Sequence, residues 1–230
     1  MPSVTPTLDL ERRLADEGYD LIVGFDEVGR GALAGPVMVG AAALWSRDLP
    51  DLAVPEGVAD SKLLTEHRRE AIVDGLKAWC AAWAVGQASN AEIDEWGIGH
   101  ALGIASLRAL NQVERELGAA DRLGLSVGAI LDGPNDYITK AADTFDAPEV
   151  PVGAEVTTLV KGDRQCASVA AAAVIAKVTR DRLMVDLSRS DSRYEAYQWA
   201  HNKGYGTKAH REAIAALGPS ALHRVSWKLV

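Results

Sequence analysis

Short apolar runs divide the chain into segments that are typical of buried strands. Five of these runs are rich in Val, Ile, Leu and Ala and are bounded by glycine or charged residues, which favours strands covered on both faces of a sheet. The predicted strands are residues 21–25, 35–44, 82–88, 127–132 and 156–160.

Longer segments between these strands carry apolar residues at helical spacing. The clearest predicted helices are residues 100–117 and residues 166–187, and the second of them is rich in alanine. Thr65 takes the N-cap position of another helix, although Arg68 stands three positions later and leaves the capping box incomplete. Further helices are predicted at residues 7–17, 65–79, 91–96 and 207–217.

This order of strands and helices predicts an α/β layered domain with a mixed five-stranded sheet, in which three antiparallel strands are followed by two parallel ones. A chain of 230 residues can form one large domain, and we expect a single domain over residues 1–230. The chain contains no run of about 18 apolar residues, and its N-terminus lacks the basic-then-apolar order of a secretory signal. We therefore expect no membrane-spanning helix.

The net charge of −8 argues against a nucleic-acid partner until its distribution is considered. Residues 1–156 carry 12 Lys/Arg against 26 Asp/Glu, a balance of −14, whereas residues 157–230 carry 12 against 6, a balance of +6. A basic C-terminal third can follow a phosphate backbone, although a solvated helical surface would give the same count. The two cysteines, Cys80 and Cys166, lie far apart in apolar stretches, which favours a reduced cytoplasmic protein without a disulfide.

Three of the predicted strands run into acidic residues: Asp26 and Glu27, then Asp132, then Asp163. If the first, fourth and fifth strands are neighbours, these four carboxylates meet at one edge of the sheet. Such a cluster repels itself unless divalent cations lie between its members. Oxygen ligands without His or Cys favour Mg²⁺ or Mn²⁺ over Zn²⁺, and two such ions about 4 Å apart form a clamp for displacement at phosphorus.

Each of the later acids also has a purely structural interpretation. Asp132 precedes a Gly-Pro pair and could be a turn residue, and Asp163 could cap the following helix. The four acids together favour the metal site over these alternatives.

A glycine-rich loop follows the first acid pair. Gly29, Gly31 and Gly35 would let the backbone come close to a large ligand, and Arg30 between them can bind a phosphate. A dinucleotide-binding loop is the alternative, but its G-x-G-x-x-G spacing is not met and the preceding acids would repel a pyrophosphate.

Seven segments of the chain, in this order, resemble the ribonuclease HII family. They span about residues 20–228 and are GFDEVGRGALAGPV, ADSKLL, ILDGP, LVKGD, AAAVIAKVTRD, NKGYGT and HRVSW. The resemblance implies a ribonuclease H-like fold, a five-stranded mixed sheet flanked by helices with a helical, substrate-contacting segment at about residues 190–230. It also implies an endoribonuclease that cleaves RNA in RNA–DNA hybrids, nicks duplex DNA 5′ of a single embedded ribonucleotide, and so serves ribonucleotide excision repair.

The resemblance also implies the site residues. The catalytic and metal-binding residues would be Asp26, Glu27, Asp132 and Asp163, and the substrate-binding residues Gly29, Arg30, Gly31, Lys62 and Tyr205. The glycine loop would sense the 2′-hydroxyl of the ribonucleotide, and the ring of Tyr205 would lie on the next sugar and prefer one without that hydroxyl. Core packing is the alternative for Tyr205, and an ordinary surface lysine is the alternative for Lys62. Lys177 and Arg180 lie on the long helix, where a structural role is the alternative, and neither is assigned to the site.

The expected mechanism has a metal-activated water attack the phosphorus while a second ion stabilises the departing 3′-oxygen, leaving 3′-hydroxyl and 5′-phosphate ends. His201, His210 and His223 are expected to be structural. We expect a monomer, and recruitment by a replication clamp is left open. A junction resolvase would not need the Tyr205 and DSK elements, and a non-catalytic hybrid-binding module would be hindered by four anions facing phosphates.

Two positions depart from the family pattern. The family has Asn in its EIDxxNI element, where this chain has Gly97, and it ends its AAAS element with Ser, where this chain has Ala173. These departures bear on substrate affinity and rate rather than on the reaction type. The sister class, ribonuclease HIII, carries an extra N-terminal domain, whereas the first strand here begins at residue 21 and Gly-Arg-Gly is present, which favours HII.

Overall fold

The computed structural model describes residues 5–58 and 64–230 of the chain. Its strands are β1 (Leu21–Val28), β2 (Val37–Trp45), β3 (Ala82–Ala88), β4 (Val127–Asp132) and β5 (Ala154–Leu159). Its α-helices are α1 (Asp9–Asp16), α2 (Glu66–Trp79), α3 (Asn90–Trp96), α4 (Ile98–Glu116), α5 (Ile138–Ala142), α6 (Ala167–Ser190), α7 (Ser192–Glu195), α8 (Trp199–Asn202) and α9 (Lys208–Leu217).

The five strands form one mixed sheet in the order β3-β2-β1-β4-β5. β2 pairs antiparallel with both β1 and β3, while β4 pairs parallel with β1 on one side and with β5 on the other. The predicted arrangement of three antiparallel and two parallel strands is therefore confirmed. Because β1, β4 and β5 are parallel neighbours, their carboxyl ends meet at the same edge of the sheet.

The two faces of the sheet are covered by different helices. Leu21, Val23 and Phe25 of β1 belong to the core cluster formed with α4, whereas the alternate residue Gly24 faces α6. A Cβ on Gly24 would lie 2.4 Å from the carbonyl carbon of Ser168, and a Cβ on Gly40 would lie 2.3 Å from the carbonyl oxygen of Ala172. Glycines in the strands and alanines in α6 thus let the helix backbone lie directly on the sheet.

Two elements differ from the sequence prediction in ways that affect the site. β1 continues to Val28 because its pairing with β2 extends to the Val28–Met38 pair, so Asp26 and Glu27 belong to the strand itself. The five-residue helix α5 lies between β4 and β5, where the sequence predicted no helix. None of the described helices is both long enough and apolar enough to cross a membrane, and Cys80 and Cys166 are both free thiols.

One carboxyl group of α4 is buried in the protein interior. Glu114 has no exposed surface. Its Oε2 accepts a hydrogen bond of 2.7 Å from the backbone N–H of Val152, whereas its Oε1 has no partner among the described residues. Burial raises the pKa of Glu114 to about 7, and the hydrogen bond from Val152 offsets only part of that effect.

We expect Glu114→Gln to remove a pH-dependent loss of stability, because an amide does not ionise. The folded protein holds a proton on Glu114 that the unfolded chain releases, so the free energy of unfolding should fall as the pH rises from about 4.5 to about 7. At pH 8 the variant should be more stable than the unsubstituted protein by on the order of 1–3 kcal/mol, measured by urea unfolding.

The control is Glu116→Gln, which removes an exposed carboxylate two residues along the same helix. It should leave the pH dependence of unfolding unchanged. The same pH dependence in both variants would contradict the assignment of this effect to Glu114.

Candidate active site

Three acidic side chains converge where β1, β4 and β5 end. Asp26 lies near the end of β1, Asp132 is the last residue of β4, and Asp163 lies in the one-turn 3-10 helix Gly162–Arg164 that follows β5. A carboxylate oxygen of each residue lies within 4.8 Å of those of the other two. Asp26 is only 4% exposed and Asp163 only 3%, so the cluster is largely shielded from water.

The backbone fixes the direction of these carboxylates. The backbone N–H of Glu27 donates to Asp26 Oδ1 at 2.7 Å, and that of Gly162 donates to Asp132 Oδ1, also at 2.7 Å. Lys161 turns the chain back towards the cluster with φ +60°, a left-handed conformation that is uncommon outside glycine. The N-cap of α6 is Cys166, so the alternative in which Asp163 caps that helix is wrong.

The donor set of this cluster suits a hard divalent cation. All three side chains offer oxygen ligands, and three carboxylates this close and this buried are costly to bring together without a neutralising charge. Oxygen-only sites favour Mg²⁺ or Mn²⁺. The residues present therefore fit the divalent metal that the sequence predicts.

Glu27 directs its carboxylate to other partners. It follows Asp26 on the same strand, and successive strand residues point to opposite faces of the sheet. Its Oε2 accepts a hydrogen bond of 3.2 Å from the hydroxyl of Tyr137, and its Oε1 lies 3.3 Å from Nη1 of Arg30. Three of the four predicted carboxylates thus meet directly, while Glu27 is held beside them.

Tyr137 is a site residue that the sequence did not reveal. It lies between β4 and β5, just before α5, and it is only 8% exposed. Burial raises the pKa of its phenol well above the usual value, and the negative charges of Glu27 and Asp26 raise it further. The phenol therefore keeps its proton at neutral pH and donates a hydrogen bond to the Glu27 carboxylate.

Two buried arginines donate hydrogen bonds to the backbone of the glycine loop. Arg180 of α6 donates to the carbonyl oxygens of Ala34 and Pro36 in the loop and of Lys203 in the C-terminal segment. The guanidinium groups of Arg180 and of the second arginine, Arg224, are fully buried. Arg224 binds the carbonyl oxygens of Gly29, Arg30 and Gly35 at 2.7–3.2 Å. Arg180, which the sequence did not assign to the site, thus shapes the loop without facing solvent.

The first two glycines of the loop have different surroundings. Gly29 has φ +80°, and a Cβ there would lie 2.1 Å from Nε of Arg180, so the fold itself requires glycine. Gly31 lies outside the left-handed region, and a Cβ there would meet nothing within 4 Å. Arg30 between them is exposed apart from its contact with Glu27.

Tyr205 lies against the start of this loop. Its hydroxyl oxygen accepts a hydrogen bond of 3.1 Å from the backbone N–H of Gly29, and its ring is half-buried. The ring centroid lies 5.7 Å from Nζ of Lys177 and 5.5 Å from Cζ of Arg180. Lys177 is also paired with Asp181 at 2.7 Å. Lys62, the remaining predicted contact, lies outside the described residues.

A family model described as Ribonuclease HII matches residues 23–230 of the chain. The chain belongs to the ribonuclease HII family. Its relatives include Ribonuclease HII of Streptomyces griseus, with 42% identity over 99% of this chain and 86% of the relative. Ribonuclease HII of Roseiflexus castenholzii is 39% identical over 99% of this chain and 91% of its own length.

Solved structures share the fold of this chain. The ribonuclease H2 from Pyrococcus horikoshii matches with a TM-score of 0.67 and 24% identity, over 91% of this chain and 94% of that one. Bst-RNase HIII in complex with Mn²⁺ matches with a TM-score of 0.66 and 23% identity, over 94% of this chain and 70% of that one. Membership in the family makes the protein a metal-dependent ribonuclease that cleaves RNA in RNA–DNA hybrids.

The two positions at which this chain departs from its family pattern have different surroundings. Gly97 joins α3 to α4 with φ +78° and ψ +157°, a conformation that is essentially restricted to glycine. An Asn there would need a different connection between the helices. Ala173 is 3% exposed within α6, where the helix lies on the sheet.

We expect Gly29→Ala and Gly31→Ala to separate folding from substrate binding. Gly29→Ala should destabilise the protein by about 1–3 kcal/mol, because the new methyl group would overlap the Arg180 side chain in a strained backbone conformation. Gly31→Ala should change stability by less than about 0.5 kcal/mol. It should nevertheless lower kcat/KM on an RNA–DNA hybrid about tenfold or more, if the substrate needs the open space.

Urea unfolding and steady-state cleavage of one hybrid substrate measure both effects. An unchanged kcat/KM for Gly31→Ala would contradict the hypothesis that substrate occupies the open space at Gly31.

We expect Tyr137→Phe to weaken catalysis while sparing the fold. The variant keeps the buried ring but removes the hydrogen bond to the Glu27 carboxylate, which would then be held only by Arg30. The loss of one hydrogen bond to a charged group should lower kcat about tenfold and raise the Mn²⁺ concentration needed for half-maximal activity. In a Glu27→Gln background the same substitution should have no further effect, and an undiminished effect there would refute the pairing.

Proposed function

We propose that the protein nicks duplex DNA 5′ of a single embedded ribonucleotide, in addition to cleaving RNA in RNA–DNA hybrids. The observation that carries this proposal is the position of the carboxylate cluster beside a glycine loop that is hydrogen-bonded to a tyrosine. A site that must recognise one ribonucleotide in DNA has to sense a single 2′-hydroxyl and also the deoxyribose that follows it.

We assign the metal site to Asp26, Asp132 and Asp163, with Glu27 approaching from the other face of β1, and propose two ions, Mn²⁺ or Mg²⁺. Such ions, when bound, would supply positive charge to the transition state and lower the pKa of an attacking water, and in-line attack would leave 3′-hydroxyl and 5′-phosphate ends. The carboxylates would hold the cations, and the backbone N–H groups of Glu27 and Gly162 orient the carboxylates of Asp26 and Asp132. The Mn²⁺ complex of Bst-RNase HIII supports the choice of metal.

The glycine loop is the proposed sensor of the ribonucleotide. Its carbonyl groups are held by Arg180 and Arg224, whereas the backbone N–H groups of Arg30 and Gly31 make no hydrogen bond within residues 5–58 and 64–230. Free N–H groups beside open space can bind a sugar hydroxyl or a phosphate oxygen. The two buried guanidinium groups add positive charge beneath the loop, which favours a polyanionic ligand.

The side chains around the loop are assigned to the neighbouring backbone of the substrate. We propose that Arg30 and Lys62 bind phosphates, and that the ring of Tyr205 lies on the sugar after the ribonucleotide and discriminates against a 2′-hydroxyl there. A tyrosine fixed by its hydroxyl to Gly29 would read both nucleotides from one rigid unit.

The whole chain is proposed to work as one catalytic domain, a cytoplasmic monomer. Backbone hydrogen bonds join the loop to the C-terminal segment, from Leu33 to Gly204 and from Gly35 to Leu222, both at 2.8 Å. The segment of about residues 190–230 would therefore contact substrate together with the loop.

The test is cleavage of a DNA duplex that contains one ribonucleotide, with an all-DNA duplex of the same sequence as the matched substrate. We expect a single nick 5′ of the ribonucleotide with Mn²⁺ or Mg²⁺ and none with EDTA. Asp132→Asn should lower kcat by about 10²–10³-fold or more while binding of the duplex is retained.

The alternatives give other results. A junction resolvase would leave this duplex intact, and a non-catalytic binding module would retard it in a gel without cutting it. Normal turnover by Asp132→Asn would refute the metal site.

A further inference from the structure

Two buried histidines lie behind Tyr205. His210 in α9 and His223 in the C-terminal segment are 0% and 1% exposed, and their Nε2 atoms are 3.1 Å apart. Nδ1 of His210 lies 2.9 Å from the carbonyl oxygen of Tyr205, and Nε1 of Trp199 lies 3.0 Å from Nε2 of His210. Nδ1 of His223 lies 2.9 Å from the backbone nitrogen of Ser220.

These neighbours determine which nitrogen of His210 carries the proton. A backbone carbonyl oxygen can only accept a hydrogen bond, so Nδ1 of His210 must carry a proton and donate a hydrogen bond to the carbonyl oxygen of Tyr205. An indole N–H can only donate, so Nε2 of His210 must accept from Trp199. His210 is therefore a neutral imidazole with its proton on Nδ1.

The opposite tautomer is required of His223. The backbone N–H of Ser220 can only donate, so Nδ1 of His223 accepts, and the hydroxyl of Ser220 lies 2.9 Å from the same nitrogen. The proton of His223 is then on Nε2, from which it donates to Nε2 of His210. The N–H groups of His223 and Trp199 therefore share the one lone pair of that nitrogen. Hydrogen bonds thus run in one direction from Ser220 through both rings to the carbonyl group of Tyr205.

We propose that His210 and His223 are positioning residues for Tyr205, which they hold through this directed chain of hydrogen bonds and thereby keep selective for the RNA-to-DNA junction. The proposal rests on the proposed role of Tyr205 in substrate recognition. Neither imidazole touches substrate, and no proton moves along the chain during the reaction.

The need for such an anchor comes from the glycines on both sides of Tyr205. Gly204 has φ +83°, and glycines leave the backbone of a tyrosine between them poorly restrained. The structure restrains Tyr205 at three points instead. Its N–H donates to the carbonyl of Asn202 at 2.9 Å, and its hydroxyl accepts from Gly29. Its carbonyl accepts two hydrogen bonds, one from the backbone N–H of Thr207 at 2.8 Å and one from His210, and only the second comes from a side chain.

A charged imidazole is incompatible with this arrangement. A second proton on Nε2 of His210 would face the N–H groups of Trp199 and His223, and a second proton on Nδ1 of His223 would face the N–H of Ser220. Burial lowers the pKa of both rings, that of His223 to about 4, and the charge of Arg211 lowers that of His210 further. Both rings therefore stay neutral at neutral pH, as the chain requires.

The kinetic test uses two replacements of His210, one that keeps a hydrogen-bond donor and one that does not. His210→Asn keeps an N–H donor near the position of Nδ1, whereas His210→Phe keeps a ring but has no donor. The readout is the ratio of kcat/KM for a duplex with one embedded ribonucleotide to kcat/KM for a continuous RNA–DNA hybrid. We expect His210→Phe to lower this ratio about tenfold, which corresponds to the loss of one hydrogen bond, and His210→Asn to preserve it within about threefold.

Tyr205→Ala distinguishes failure of this inference from failure of the proposed function. In a Tyr205→Ala background, His210→Phe should lower the ratio no further. If Tyr205→Ala alone leaves the ratio unchanged, the recognition role of Tyr205 and this inference are both refuted. If Tyr205→Ala lowers the ratio and His210→Phe does not, only the inference is refuted.

A second measurement needs no variant and so does not depend on whether His210→Phe folds. The ¹⁵N spectrum of the ring nitrogens in the unsubstituted protein should show one buried histidine protonated at Nδ1 and the other at Nε2, with neither titrating between pH 8 and pH 6. The same tautomer on both rings, or titration of either near pH 6.5, would overturn the proposal.

Discussion

Repulsion between buried negative charges is the constraint on which the rest of this structure depends. Two unit charges 4.8 Å apart repel by about 3–4 kcal/mol at an effective dielectric constant of 20, and the cluster contains three such pairs. Parallel pairing of β1 with β4 and of β4 with β5 brings the carboxyl ends of the three strands, and with them these side chains, to the same edge of the sheet. The surrounding backbone must therefore be stiff enough to hold them together until cations arrive, and the direct contact between α6 and the sheet provides that stiffness.

Charge is separated within the site rather than averaged over the chain. The acids lie at the ends of the parallel strands, while the two buried guanidinium groups lie beside the glycine loop and donate hydrogen bonds to its backbone carbonyl oxygens. A polyanion can therefore meet positive charge at the loop and cation-binding oxygens at the cluster. This local separation explains how a chain with a net charge of −8 can serve a nucleic-acid substrate.

The sequence allowed the sheet to be predicted well because apolar periodicity is a local signal. β3 and β4 have the predicted bounds, and the acids at strand ends indicated which strands are neighbours. The contributions of Arg180 and Tyr137 could not be predicted, since their partners are distant along the chain: the carbonyl groups bound by Arg180 include those of Ala34 and Pro36, more than 140 residues away. A mid-helix arginine looks the same in a sequence whether it faces solvent or the core.

Strand geometry did contain one signal that the four-carboxylate hypothesis did not use. Asp26 and Glu27 are consecutive residues of β1, and alternation along a strand places their side chains on opposite faces. This alternation explains why Glu27 meets Tyr137 and Arg30 while Asp26 meets the other two acids.

α6 connects the two halves of the site, since its first turn packs on the 3-10 turn that carries Asp163 and its middle places Arg180 beneath the glycine loop. A helix advances 1.5 Å and rotates 100° with each residue. The number of residues between two helix positions therefore sets both their distance along the axis and the directions in which their side chains point. The length of α6 thus acts as a ruler between the position of cleavage and the position of recognition. Evolution can vary the side chains along this ruler, but adding or removing one residue would swing Arg180 away from the loop.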